Sequence, residues 1–215
     1  MAGTGTGTAP RMRADATRNR ERIVAAAREA FVLHGADAPL DEIARRAGVG
    51  NATLYRHFPD RDALVRDVAL AVMDRVADRA RAALDESEGG DDPFEALRRF
   101  VLGAVEERIG ALCSMLSDRF DRDEPRLLAA RQRLEGLLEE LFDRARRAGR
   151  LRPDAAVGDL LMALGQLTRP LPGTGCAQVE RFLVRHLQIF LDGLRAPARS
   201  ELPGQAVTLE TLLTD

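Results

Sequence analysis

The chain of 215 residues contains no lysine and no tryptophan, and it has a single tyrosine, Tyr55. All 32 basic residues are therefore arginines, and together with the many alanines and glycines this bias is typical of a GC-rich genome. The two cysteines, Cys113 and Cys176, lie far apart and in no metal-ligand or redox spacing. Their scarcity excludes a disulfide framework and fits a reducing compartment.

Long apolar runs are absent as well. Nowhere do eighteen apolar residues follow one another, which excludes a transmembrane helix of ordinary length. The first residues, MAGTGTGTAPRMR, lack the apolar segment of a secretion signal. We therefore expect a cytoplasmic protein without a membrane partner.

Residues suited to catalysis are few and scattered. The histidines His34, His57 and His186 have no second histidine, cysteine or acid at metal-ligand spacing. The segments GTGTG and LPGTG lack the strand and the lysine of a phosphate-binding loop, and no nucleophile, base and acid form a recognisable set. The sequence predicts no enzyme, no cofactor and no metal site. An all-α enzyme or ligand carrier is the alternative, and a catalytic set would be needed to favour it.

Charge is distributed unevenly along the chain. Residues 11–66 carry 11 arginines against 8 acidic residues, whereas residues 67–215 carry 21 arginines against 26 acidic residues. A basic end on an acidic body is consistent with an end that faces a polyanion, although so small an excess is a weak signal by itself.

Apolar residues at helical spacing dominate the chain after a Gly/Thr-rich arm, residues 1–16, which we expect to be disordered. The pattern predicts a helix that ends at Gly35, a second between Pro39 and Gly48, a third at residues 51–58, a fourth from Arg61 into the 80s, and others at about 93–109, 111–120, 125–148, 154–168 and 177–195. No segment alternates as a strand does. The predicted fold is all-α, with a helix-turn-helix three-helix unit at residues 17–60, a helical effector-binding and dimerisation domain at 61–195, and a C-terminal tail at 196–215.

The segment NATLYRHF, residues 51–58, has more hydrogen-bonding side chains than a core helix would have. On a helical wheel Leu54 and Phe58 share one face, whereas Ala52 and Arg56 point away from it. Together with the preceding helix and the AGVG turn, the segment predicts a helix-turn-helix, in which the second helix lies in the DNA major groove.

The polar side chains of this helix suit two kinds of DNA contact. Arg56 and Asn51 can make bidentate contacts with guanine and adenine, respectively. Arg61, which begins the next helix, can pair with a phosphate. Contacts with phosphates, which position a protein without reading sequence, also suit Thr53, Tyr55 and His57. A polar helix face that meets only solvent is the alternative.

The run NRERIVAAAREAFVLHGADAPLDEIARRAGVGNATLYRHFPDRDALV, within residues 18–70, resembles the DNA-binding region of tetracycline-repressor (TetR) family regulators. The most specific pieces are AFVLHG, DEIARRAGV and TLYRHFPDRDAL. The resemblance implies a two-fold dimer on a palindromic double-stranded operator, and a body whose small-molecule effector moves the DNA-reading helices. Repression is the usual mode of such regulators. The contact positions that it implies are Arg46, Asn51, Ala52, Thr53, Tyr55, Arg56, His57 and Arg61.

The sequence departs from the family pattern at three places. Ala38-Pro39-Leu40 replaces the usual Ser or Thr at the start of the second helix, Gly50 stands where Ser or Thr is common, and Arg61 stands where Lys is usual. These changes remove possible backbone contacts.

The body offers candidates for an effector pocket and for a dimer interface. If they converge, side chains on separate helices would line an apolar pocket for a lipophilic or aromatic effector: Phe100, Cys113, Met115, Leu116, Phe120, Phe142 and Met162. A solid core without a cavity is the alternative. Apolar stripes on the last two helices predict a four-helix interface between two protomers, formed by Leu160, Leu164, Leu167, Phe182, Leu183, His186, Leu187, Phe190 and Leu191. These helices could instead be central within one protomer.

Overall fold

A computed structural model describes residues 8–90, 92–107, 124–168 and 176–208, and for residues 8–13 and 176–181 it describes the backbone only. These ranges contain eight helices and confirm the predicted all-α fold: α1 (Thr8–His34), α2 (Leu40–Ala47), α3 (Asn51–His57), α4 (Arg61–Glu88), α5 (Pro93–Val105), α6 (Pro125–Arg147), α7 (Val157–Leu167) and α8 (Cys176–Leu194). The helix predicted at 111–120 lies outside the described residues. None of the described helices has both the length and the apolar character needed to cross a membrane.

Helix α1 begins earlier than the sequence pattern predicts. Residues 8–16 are helical, whereas a disordered arm was expected to extend to residue 16. Pro10 lies within the first turn, where proline is tolerated because its missing N–H would have no partner there. An ion pair between Asp15 and Arg18, three residues apart, also favours the helix.

Backbone geometry sets the turn between α2 and α3. Gly48 has a left-handed backbone with φ of 64°, and its N–H donates to the Arg45 carbonyl at 3.1 Å. The N–H of Val49 donates to the Ala44 carbonyl at 3.0 Å, which completes the end of α2. Only glycine adopts this backbone without strain, so Gly48 sets the angle at which α3 leaves α2.

Helix α4 joins the N-terminal unit to the body. Asp60 caps it by accepting a hydrogen bond from the Ala63 N–H at 2.7 Å. Its buried residues Leu64, Val65 and Val68 belong to one core that also contains side chains of α1–α3 and of α5–α8. The N-terminal unit therefore has no separate core. A displacement of α4 would shift both the N-terminal unit and the helices of the body.

The residues after α8 pack against the segment around the start of α7 through hydrogen bonds. Arg152, which is buried, donates to the carbonyls of Gly193 at 3.1 Å and Ser200 at 2.7 Å while pairing with Asp154. That hydrogen-bonded pairing lowers the pKa of Asp154 to about 2. The Val207 N–H donates to Asp159 at 3.1 Å. Residues 196–208, expected only as a tail, thus return along the start of α7.

The predicted interface stripe is corrected by the burial pattern. Five of its leucines are buried inside the protomer, where they pack in the common core: Leu160, Leu164, Leu183, Leu187 and Leu191. Leu167 and Phe190 are partly buried against the same core. Phe182 and His186 are exposed. The leucine stripe therefore stabilises the protomer itself, and of the nine predicted interface residues only Phe182 and His186, both on α8, are exposed.

Candidate nucleic-acid interface

Helix α3 is anchored on one side and exposed on the other. Leu54 and Phe58 are buried in the core. On the outer side, a surface that we call the reading face consists of the exposed side chains Asn51, Ala52, Tyr55 and Arg56. Tyr55 is the largest of them, and it is 52% exposed. The predicted division of this helix between core and surface is what the structure has.

Two arginines of α1 bind the segment formed by the α2–α3 turn and helix α3, one at each end of the segment. Arg20 donates to the His57 carbonyl at 3.1 Å, lies 4.5 Å from the centre of the Phe58 ring, and pairs with Asp67 of α4. Arg22 donates to the Gly48 carbonyl at 3.4 Å. These two residues were not predicted to take part, because in sequence they are two of many arginines on an amphipathic helix. They fix α3 relative to α1.

The side chain of His57 is only partly exposed, whereas a phosphate contact requires an accessible ring nitrogen. Its Nε2 atom is buried and has no hydrogen-bond partner among the residues that the structure describes. Burial lowers the pKa of His57 below its ordinary value, and the nearby charges of Arg56 and Arg20 lower it further. The imidazole is therefore neutral near pH 7, and its predicted phosphate contact stays a prediction.

Two predicted contact arginines already have protein partners. Arg46 pairs with Glu42 one turn earlier, with its Nη2 atom 2.7 Å from Oε1, and this hydrogen bond lowers the pKa of Glu42. Arg61 donates to the carbonyls of Ala36 at 2.8 Å and Ala38 at 2.6 Å. Arg61 thus fastens the loop between α1 and α2, which accounts for it without any phosphate contact, whereas Arg46 remains exposed beside the reading face.

The structure separates the predicted pocket residues that it describes. Phe100 and Phe142 are buried in the common core, whereas Met162 is exposed on α7 and therefore does not join them. The other four, Cys113, Met115, Leu116 and Phe120, lie outside the described residues. A surface crevice of about 390 Å³ lies between α1 and the end of α5, and none of the residues that line it is a predicted pocket residue. The described residues include no group of three or more acids, histidines or cysteines that could hold a metal ion.

Comparisons with known proteins agree with this arrangement. Residues 23–68 match the family described as bacterial regulatory proteins of the tetR family, and residues 92–196 match the C-terminal domain of SbtR-like transcriptional regulators. A TetR regulatory protein from Mycobacterium vanbaalenii is 35% identical, with a TM-score of 0.61 over 86% of this chain and 99% of that one. A TetR regulator from Streptomyces coelicolor is 32% identical, with a TM-score of 0.60 over 83% and 99%.

Curated relatives match over shorter segments. The transcriptional repressor LfrR from Mycolicibacterium smegmatis is 38% identical over 86 residues, which is 38% of this chain and 43% of that protein. A solved structure of LfrR, in complex with proflavine, has a TM-score of 0.59 at 23% identity over 86% of this chain and 99% of that one, and shows the shared fold. The chain spans between 22% and 49% of the lengths of the curated relatives that it matches. The two matching families, the two TetR proteins and LfrR are all described as transcriptional regulators.

Proposed function

Because this chain belongs to the TetR family of bacterial transcriptional regulators, we propose that it is a repressor that binds a palindromic operator as a dimer. A small lipophilic or aromatic effector releases it. The observation that carries the proposal is the reading face, which presents polar and cationic groups opposite an apolar anchor. One such helix touches too few bases to be selective, so two copies are needed.

Base and phosphate contacts divide along this face. Arg56 and Asn51 are exposed and can reach base edges in the major groove. Tyr55 and the half-buried Thr53 flank Arg56 and suit phosphates on either side of the groove. Arg46 can make a further phosphate contact if its ion pair with Glu42 is replaced by one with a phosphate.

The exposed side of α8 supports the dimer. Phe182, His186, Ile189 and Gly193 recur at three- and four-residue spacing and are all exposed, and we call them the partner face. No atom of the described part of the chain lies within 4 Å of the position that a Cβ on Gly193 would occupy. A second helix can therefore approach closely there, and covering the exposed apolar side chains of Phe182 and Ile189 would be favourable in water.

Release follows from the connection through α4. A displacement of this helix by an effector in the body changes the spacing of the two reading faces in a dimer. An effector acts only as far as it prefers the non-binding spacing, and a hundredfold preference supplies about 2.7 kcal/mol. LfrR has been captured with proflavine, an aromatic compound, which supports an aromatic effector here.

The proposal is tested by selecting bound sequences from random double-stranded DNA and fusing the recovered site to a reporter promoter. We expect an inverted repeat and lower reporter output when the protein is present. Lipophilic and aromatic compounds are then titrated against the complex. Recovery of no preferred sequence would contradict operator binding, higher output would contradict repression, and indifference to every compound would contradict this class of effector.

A further inference from the structure

Glu107 is one of two charged residues, with Arg152, that are buried among the described residues. Arg152 is accounted for by the docked C-terminal residues. Glu107 is 4% exposed and lies two residues beyond the end of α5. A carboxylate is buried at such a position only when charged partners compensate for its lost hydration.

Three arginines from two other helices supply that compensation. Arg28 of α1 and Arg75 of α4 reach Oε2 of Glu107 at 2.9 Å and 2.7 Å. Arg79 of α4 reaches Oε1 at 3.2 Å. Burial by itself would raise the pKa of Glu107, but the hydrogen bond from Arg75 and the charge of Arg28 hold that pKa below its ordinary value. The carboxylate is therefore charged and joins α1, α4 and the end of α5.

Between α1 and the end of α5, charged and polar contacts bridge an open crevice. The crevice of about 390 Å³ opens between α1 and the end of α5, lined by Arg28, Glu29, Val32, Leu33 and Glu106. Across it, Arg28 also donates to the Glu106 carbonyl at 3.1 Å. Gly103 leaves room for the Arg79 guanidinium, because a side chain there would begin 3.0 Å from Nη1.

Arg28 is on the same rigid helix as the residues that hold the reading face. Arg20, eight residues earlier, lies about 12 Å along α1 from Arg28 and bonds the His57 carbonyl. A tilt of α1 at the junction therefore moves α3 relative to the body.

We propose that Glu107 is a positioning residue for operator binding, which fixes the angle of α1 and the reading face on the body by gathering Arg28, Arg75 and Arg79 on one carboxylate. The inference rests on the proposed operator binding. Through Glu107, α1 is linked directly to the end of α5, in addition to its connection with the body through α4. Loss of the link leaves each reading face intact but misplaces the two faces relative to each other, so specific binding suffers more than non-specific binding.

The test uses the full chain and the operator recovered by selection. The measured quantity is the ratio of affinities for operator and for random DNA, with thermal unfolding followed in parallel. Glu107→Gln keeps the shape of the side chain and removes its charge, and Arg28→Gln breaks the link from its more exposed end. The matched control is Glu106→Gln, because Glu106 has a side chain that is 71% exposed and whose carboxylate, among the described residues, pairs with one arginine, Arg79.

We expect Glu107→Gln and Arg28→Gln each to lower the ratio at least tenfold, and the double variant to lower it no further than the more affected single variant. Glu107→Asp, which keeps the charge, should recover part of the loss, and Glu106→Gln should stay within twofold of the unaltered protein. Ratios within twofold for both Arg28→Gln and Glu107→Gln would overturn the inference, even if their melting temperatures fall. A ratio near one for the unaltered protein would instead overturn the proposed function.

Discussion

The reading face of α3 and the partner face of α8 are both exposed, yet they differ in every property that governs association. The first is polar and cationic around Arg56 and Tyr55, and its apolar residues are turned inward. The second exposes Phe182 and Ile189, while the leucines of α8 lie on another side of the helix and are buried. A surface of the first kind suits a hydrated polyanion, whose attraction salt weakens. A surface of the second kind is stabilised by being covered.

The largest effect is expected from a charge on the partner face. Ile189→Asp would place one unpaired carboxylate from each protomer in the interface, at a cost of about 3–5 kcal/mol. The dimer dissociation constant, measured by sedimentation, should rise more than a hundredfold, and operator affinity should fall with it.

The matched control for that change is Val184→Asp. Val184 is 56% exposed and Ile189 60%, but Val184 lies on the opposite side of α8 from the partner face. It should remain dimeric. Equal behaviour of the two variants would contradict the placement of the interface.

The next largest effect concerns the reading face. Arg56→Ala should weaken operator binding by about 1–3 kcal/mol and relax the preference at one base pair, because a bidentate contact with a base is lost. Binding to a panel of single-base operator variants measures both. Arg45→Ala, at an exposed position of α2 outside the predicted contacts, serves as the control.

Tyr55→Phe sharpens the distinction between reading and positioning. It should weaken binding evenly across the panel, since a phosphate contact carries no base information. If Arg56→Ala also lost affinity evenly on every sequence, Arg56 would be a phosphate contact instead.

A smaller effect is expected from the turn that sets the reading helix. Gly48→Ala requires a left-handed backbone from alanine and places its Cβ 2.4 Å from the present position of Arg22 Nη2. The free energy of unfolding should fall by about 1–2 kcal/mol. Gly50→Ala, with no close neighbour and an extended backbone, should change it by less than about 0.5 kcal/mol. Urea denaturation compares them, and equal losses would contradict this account of the turn.

The smallest effect is that of pH on His57. Its pKa is lowered in the folded protein, so the unfolded chain takes up the proton first, and this residue's contribution to stability is lost as the pH falls below about 6.5. The free energy of unfolding of the unaltered protein should therefore drop between pH 7.5 and 5.5 by more than that of His57→Gln. Parallel pH profiles of the two proteins would show that the imidazole is not held neutral by the fold.

The sequence predicted the two surfaces unequally. On α3, the apolar residues Leu54 and Phe58 share one side and Arg56 lies on the other. This pattern depends on one helix alone, so the buried and exposed sides of α3 were predicted correctly. Helix α8 is apolar on both sides, and periodicity by itself cannot tell which stripe faces its own protomer. The more regular stripe, Leu183–Leu187–Leu191, is the buried one.

Contacts between distant segments were out of reach of pattern reasoning. Glu107 and its arginines are separated by between 28 and 79 residues in the chain, and nothing in the spacing distinguishes them from other charged residues. The same holds for Arg152 and the segment that follows α8. The partners of Arg61 are backbone carbonyls of a loop, which no side-chain pattern reports.

Footprinting of the selected operator tests the central claim most directly, because it requires both surfaces to act together. We expect two protected half-sites related by a two-fold axis, with centres about one helical turn apart, roughly 34 Å or somewhat more. Both half-sites should lose protection together in Ile189→Asp. A single asymmetric half-site, protected at full affinity by the unaltered protein, would contradict binding as a two-fold dimer.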